Sequence, residues 1–166
     1  PKFLQIRGVG ERSEYQGAPN ASVGFIVDDI DISGLGMAAN LYDVNQVEVL
    51  RGPQGTRFGA NALAGLIYVQ SNEPTDVSEH GVSSSVGNDD LLTISGFSSG
   101  ALTSKVNYRV SLEQHQQNGY SNNTYLGRDD TNNVDELTGK LKLTAQATND
   151  LRINFTLLFA NMDNGF

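Results

Sequence analysis

Cysteine is absent from all 166 residues, which rules out a disulfide and a thiolate metal site and leaves the chain indifferent to an oxidising compartment. Long hydrophobic runs are absent as well: no stretch of about 18 apolar residues occurs, which excludes a transmembrane helix. The opening Pro1-Lys2-Phe3 is not the basic-then-apolar start of a signal peptide, so any export signal is expected outside this sequence. Positive charge is scarce, with 11 Lys and Arg against 19 Asp and Glu, and the formal net charge of −8 is spread evenly along the chain. Neither half therefore reads as a nucleic-acid binder.

Catalytic and metal-binding constellations are also missing. His80 and His115 are isolated from each other, without the spacing of a zinc site, and each reads as a polar strand residue. No Gly-x-Ser-x-Gly elbow or His-centred nucleophile occurs, so the chain is read as a non-enzyme with no cofactor. The glycines of Arg51–Gly59 lack the closing Gly-Lys-Ser/Thr of a phosphate-binding loop and precede a strand pattern rather than a helix. Asp29-Ile30-Asp31-Ile32-Ser33-Gly34 opens like a calcium loop, but its twelfth position is Asn40 where a bidentate Glu is needed. The Asn-x-Ser/Thr triplets at Asn20, Asn122 and Asn154 carry no weight in a chain so rich in these residues.

What is present favours strands and turns: 18 Gly, 7 Phe and 6 Tyr, with Asn, Ser and Thr throughout. Residues 1–76 read as mixed structure. After an apolar stretch at Phe3–Ile6 and a polar loop from Gly8 to Asn20, Val23–Val27 and Ile30–Ile32 are short strand candidates, and Gly34–Asn40 is a turn or loop. Val44–Leu50 and Leu66–Val69 make two more strands around a glycine-punctuated loop.

Residues 77–166 alternate over longer segments. Val106, Tyr108, Val110 and Leu112 share one face against Lys105, Asn107, Arg109 and Ser111; Leu137, Leu141 and Leu143 oppose Thr138, Lys140 and Lys142. Leu151, Ile153, Phe155, Leu157 and Phe159 oppose Arg152, Asn154, Thr156 and Leu158. With the weaker segments Gly81–Gly87 and Leu92–Ser98, this predicts five consecutive antiparallel strands. Asn88–Asp90, Gly100–Ser104 and Thr148–Asp150 read as tight turns, and residues 118–134 as a long polar loop. Periodicity fits a soluble antiparallel sheet as well as a membrane barrel. Strand length, charges on the second face and long loops alternating with short turns favour the barrel, whose strands need roughly 9–11 residues.

The strongest local signal is the run Val47-Glu48-Val49-Leu50-Arg51-Gly52-Pro53-Gln54-Gly55-Thr56-Arg57-Phe58-Gly59-Ala60-Asn61-Ala62-Leu63-Ala64-Gly65-Leu66-Ile67-Tyr68-Val69. It closely resembles the plug signature of TonB-dependent outer-membrane receptors, a strand ending VEVLRGP followed by a glycine-spaced loop and a second strand. Ile6-Arg7-Gly8-Val9-Gly10 resembles the family's IRG element, and Val23–Ile30 its VGVYVDGV strand, with Asp29 standing where glycine is usual. Asn72-Glu73-Pro74 resembles the exit from plug to barrel.

The resemblance spans essentially the whole chain. It implies a mostly β fold: a mixed-sheet plug segment at 1–76, the later part of the plug domain, followed at 77–166 by the first about five strands of an incomplete antiparallel transmembrane β-barrel. It implies a bacterial outer-membrane importer that takes up a scarce solute (ferric siderophore, haem, cobalamin or oligosaccharide) when the TonB complex, engaging a segment not present here, rearranges the plug. Tyr108, Val110, Leu141, Leu143, Ile153, Phe155 and Leu157 would then face lipid, and Lys140 and Arg152 the lumen. The alternative is a soluble β-rich binding or adhesion module.

Several residues carry specific expectations. Gly52, Gly55, Gly59 and Gly65 suit positive φ or close backbone approach in a compact loop. Arg7 and Arg51 each precede a glycine at a strand end, and a shielded guanidinium must find an acceptor because it keeps its proton. The resemblance implies that both meet glutamates of the barrel wall beyond residue 166, as a latch between plug and barrel. Ligand contact is expected from Gly10–Asn20 through Arg12, Tyr15 and Gln16, and from Gly34–Asn40 through Leu35 and Met37.

Overall fold

The computed structural model describes residues 4–10, 22–33, 41–55, 62–125 and 127–165. The chain divides into two compact units, Pro1–Asn72 and Glu73–Phe166. In the first, β1 (Gln5–Ile6) and β2 (Val9–Gly10) form a small hairpin. Arg7 and Gly8 sit at its tip with φ of 53° and 78°, the positive values that a two-residue I′ turn requires at both positions.

Four further strands make a mixed sheet: β3 (Val23–Val27), β4 (Ile30–Asp31), β5 (Val44–Arg51) and β6 (Gly65–Ser71), in the order β4-β3-β6-β5. β3 runs parallel to β6, with Val23 opposite Gly65 and Val27 opposite Val69, whereas β4 and β5 are antiparallel to their neighbours. The central parallel pair is apolar on both faces because both are covered, and every residue of β3 is buried. Ile26, Ala62 and Leu66 form the core of one face with Leu50 and Tyr68 packed against them, while Val23, Phe25, Val27 and Val69 are buried on the other.

Asp28 and Asp29 occupy the β3–β4 turn with φ of 47° and 66°, so an aspartate pair fills a site that glycine would fill without strain. Both side chains are tied down. Asp28 accepts a hydrogen bond from the Ser71 amide at 2.9 Å and another from the Ser71 hydroxyl, and Asp29 accepts one from the Tyr68 hydroxyl at 2.8 Å. Burial, then the bond to Asp29, raises the Tyr68 pKa above the ordinary phenol value.

The second unit is a meander of β7 (Glu79–Val86), β8 (Leu92–Thr103), β9 (Val106–Gln117), β12 (Val134–Gln146) and β13 (Arg152–Met162), with a small hairpin of β10 (Ser121–Asn123) and β11 (Arg128–Thr131) between β9 and β12. Two sequence expectations need correction. Gly100–Ser104 is not the turn: β8 continues to Thr103 through an irregularity between Ala101 and Thr103, and only Ser104 and Lys105 reverse the chain. Residues 118–134 are not one loop, since they contain the β10–β11 pair. Small and polar residues dominate both stretches, so hydrophobic periodicity is silent there although backbone pairing is available.

The two faces of this sheet are inverted relative to a water-soluble one. On one face Ser95, Ser99, Arg109, Ser111, Thr138 and Lys142 are all buried; on the other Val82, Ile94, Leu112, Ile153, Phe155, Leu157 and Phe159 are about half exposed or more. Register unites the apolar face, for Leu143 lies opposite both Tyr108 and Phe155, and Leu141 opposite both Val110 and Leu157. Lys140 and Arg152 have the other parity and fall on the polar face.

The aspartate turn yields two expectations. Asp28→Ala should cost about 1–2 kcal/mol, speeding amide exchange at Ser71 by roughly 5–30-fold, whereas Asp29→Gly should leave it near the wild-type rate, because its lost bond is exposed and its backbone strain is relieved. Because the folded state raises the Tyr68 pKa, the neutral phenol supports the fold at neutral pH and that support is lost as pH rises through the raised value. A spectroscopic phenolate titration should lose a component that ionises above the ordinary phenol value in Tyr68→Phe; an unchanged curve would contradict this.

Candidate functional site

Two places concentrate unusual geometry. The first is the neighbourhood of Gly65 in the first unit. A Cβ at Gly65 would lie 2.5 Å from the Leu50 carbonyl oxygen and 2.7 Å from Ile6 Cδ1, with Arg51 Cα at 3.5 Å, so strand β5 and the β1 hairpin converge here. This brings together the two Arg-Gly elements: Arg7 follows Ile6 at the hairpin tip, and Arg51 ends β5 opposite Gly65. Both arginines are exposed, and among the described residues neither has an ion-pair partner. Gly52 has φ of 94° and its amide donates to the Ala64 carbonyl at 3.1 Å, while the Gln54 amide donates to Ala62 at 3.1 Å, closing the start of the glycine-spaced loop onto its end. Gly55 has open space around it and no positive φ. Gly59 lies outside the described residues, as do Arg12, Tyr15, Gln16, Leu35 and Met37.

The second place is the polar face of the meander. Arg109 lies directly opposite Lys142, both buried, and two like charges in that relation repel. Each has a carboxylate from the start of the unit: Lys142 Nζ is 2.7 Å from Glu73 Oε1, and an Arg109 guanidinium nitrogen is 3.5 Å from Glu79 Oε2. Arg109 also stacks over Phe97 at 4.5 Å, a cation–π arrangement, and Phe97 itself lies against Gly81, where a Cβ would collide with its ring. Sequence reasoning missed this constellation. The alternation placed Arg109 and Lys142 on a polar face, but Glu73 lies before the first strand, where periodicity assigns no partner. Among the described residues no group of His, Asp and Glu is arranged to hold a metal ion. His115 bonds Thr93 at 2.8 Å and His80 bonds Ser98 at 3.0 Å, each across a strand pair.

Residues 1–66 match the family model described as TonB-dependent Receptor Plug Domain. The pesticin receptor of Yersinia pestis is 28% identical over 141 residues, covering 84% of this chain and 20% of that protein. The crystal structure of the ferric yersiniabactin uptake receptor FyuA from Yersinia pestis superposes with a TM-score of 0.76 at 26% identity, covering 85% of this chain and 23% of that one.

Residues 1–66 are a TonB-dependent receptor plug domain, and the strands after them match the corresponding part of such receptors.

Such receptors are bacterial outer-membrane transporters rather than enzymes. The vitamin B12 transporter BtuB of Vibrio vulnificus is 27% identical over 79 residues, 48% of this chain and 13% of that protein. The pyoverdine receptor FpvA of Pseudomonas aeruginosa PAO1, at 19% identity and a TM-score of 0.69, shares the fold. The chain spans about a fifth of the length of the pesticin receptors it matches.

The packing at Gly65 makes the plug testable by substitution. In the complete receptor Gly65→Ala should destabilise the β5–β6 pairing by about 1–3 kcal/mol, the usual cost of overpacking, and accelerate proteolysis of the plug. Gly55→Ala, with nothing near its new methyl group, should be silent in the same assay.

Proposed function

We propose that the complete receptor imports a ferric chelate of the siderophore class across the bacterial outer membrane, driven by the TonB complex through a segment outside this chain. The observation that carries this reading is the likeness to the ferric yersiniabactin uptake receptor, which extends over both units at 26% identity. In this reading unit 1 is the later part of the plug and unit 2 the first strands of the barrel, with the change from one to the other falling in the segment around residues 72–77. The inverted burial of the meander supports it: strands of 11 to 13 residues for β8, β9, β12 and β13 are long enough to span a bilayer, and their exposed apolar face suits lipid. That face argues against the soluble module, which would present its polar residues to water. Iron-dependent uptake of a labelled ferric siderophore in TonB-proficient cells, lost in TonB-deficient cells, is the expected result. Uptake of cobalamin, haem or an oligosaccharide instead would overturn the substrate class, and TonB-independent uptake the mechanism.

Arg7 and Arg51 are the latch in this reading, each bonded to a barrel carboxylate supplied by the rest of the receptor. Arg7 supports this by its backbone: φ of 53° costs a side-chain-bearing residue about 1–2 kcal/mol that glycine would avoid, and such strain persists where the side chain serves a purpose. Ligand contact is assigned to Arg12, Tyr15, Gln16, Leu35 and Met37, which offer a charge, an aromatic face, an amide and apolar surface. Arg51→Ala should raise passive leak through reconstituted receptor, and Arg51→Lys should rescue only partly because it loses the planar fork. Equal leak in wild type, Arg7→Ala and Arg51→Ala would remove the latch. Arg12→Ala and Tyr15→Ala should each weaken ligand affinity by several-fold, and unchanged affinity in both would take that loop out of the site.

A further inference from the structure

On either side of the division at Asn72 and Glu73 the chain is held within its own unit. On the plug side Asn72 is held to Asp43 twice, by its amide to the Asp43 carbonyl at 3.2 Å and by its side-chain amide to Asp43 Oδ1 at 2.8 Å. On the other side the very next residue, Glu73, reaches Lys142 Nζ at 2.7 Å. Two residues later the Thr75 amide donates to Ser99 Oγ at 3.0 Å, and the Thr75 hydroxyl lies 3.0 Å from the same atom. Ser99 is fully buried, and its hydroxyl donates onward to the Tyr108 carbonyl at 2.9 Å, so the anchor is itself fixed between β8 and β9. Glu79, at the start of β7, completes the set with Arg109.

Charge explains why these contacts belong together. Arg109 and Lys142 face each other across β9 and β12 with side chains 7% and 9% exposed, a placement that no sheet tolerates with both cations unbalanced. Glu73 and Glu79 each place a carboxylate against one of them. Release of residues 73–78 would withdraw one of those carboxylates from a buried lysine and strip the Ser99 hydroxyl of its donor.

We infer that residues 73–79 form an electrostatic clamp on the barrel wall, which confines plug displacement to the chain upstream of Glu73 and keeps the first barrel strand from peeling when the plug is pulled. This rests on the reading of the two units as plug and barrel wall. The clamp is a positioning device: Glu73, Lys142 and Ser99 act on the chain path and touch no transported solute.

The test uses the complete receptor in lipid bilayers. The Thr75 amide should exchange at least roughly ten-fold more slowly than in an unstructured peptide of the same sequence, because it is bonded to a buried hydroxyl. Glu73→Gln, which alters an exposed side chain outside the strands, and Ser99→Ala should each raise that rate by roughly ten-fold or more while β12 amides stay protected. The exchanged pair Glu73→Lys with Lys142→Glu should restore protection where Glu73→Gln does not. Pulling the plug from its N-terminal end should stop at Glu73 in the wild type and run further in Glu73→Gln, by no more than about 20 Å, the extended length of the six freed residues less the distance they already span. Free-peptide exchange at Thr75 in the wild type, or equal extension in wild type and Glu73→Gln, overturns the clamp. If either occurs in a receptor whose uptake still depends on TonB, the proposed function stands and the clamp alone fails; loss of TonB dependence with Thr75 protected gives the reverse.

Discussion

The period-two register of β12 is the constraint on which the second unit depends. It pairs residue for residue with β9 from Val134 to Ala145 and with β13 from Glu136 to Gln146, without a shift in either ladder. A slip of one residue would exchange the faces, placing Lys140 and Lys142 among Val110, Leu157 and Phe155 and turning the leucines toward buried serines. Both the shared apolar face and the ion pairs of the polar face follow from this one alignment. The irregular places, at Ala101–Thr103 and Ser121–Asn123, lie at strand ends where no such alignment is required.

That alignment is also what made much of the fold legible. Ile153, Phe155, Leu157 and Phe159 recur at every second position, so the strand and the residues that share its face could be read from the letters. The plug was legible for a different reason: Arg51-Gly52-Pro53 and the spaced glycines form a long signature, and Val23–Val27 is apolar at almost every position because the parallel pair is covered on both faces. Illegible were β10, β11 and the last residues of β8. These stretches carry no hydrophobic period, and pairing is made by the backbone ladder together with the Thr131 hydroxyl, which donates to the Ser121 carbonyl at 2.7 Å. The pairs Glu73–Lys142 and Glu79–Arg109 were illegible because a salt bridge between distant residues leaves no local pattern; the lysine announces that an acceptor is needed, not where it lies.

Acidity has a structural use here that composition alone does not suggest. Asp28, Asp29, Asp43, Asp89 and Asp90 all hold positive φ, between 47° and 66°. Aspartate tolerates that backbone better than most side chains, and its short carboxylate bonds to nearby groups. Asp28 holds Ser71, Asp29 holds Tyr68, Asp43 holds Asn72, and Asp90 holds the Asn118 side-chain amide at 2.7 Å. Part of the net charge of −8 is thus committed to fixing turns.

Carboxylates therefore work at two levels in the same short stretch of chain. Asp43 fixes Asn72 through a strained turn, and Glu73 fixes the following residues through a buried lysine, so adjacent residues answer to different structural units. The two fixings differ in what breaks them. Asp43 and Asn72 are joined by half-buried hydrogen bonds, whereas Glu73 holds Lys142 through an ion pair whose lysine end is buried, and a desolvated charge is expensive to abandon.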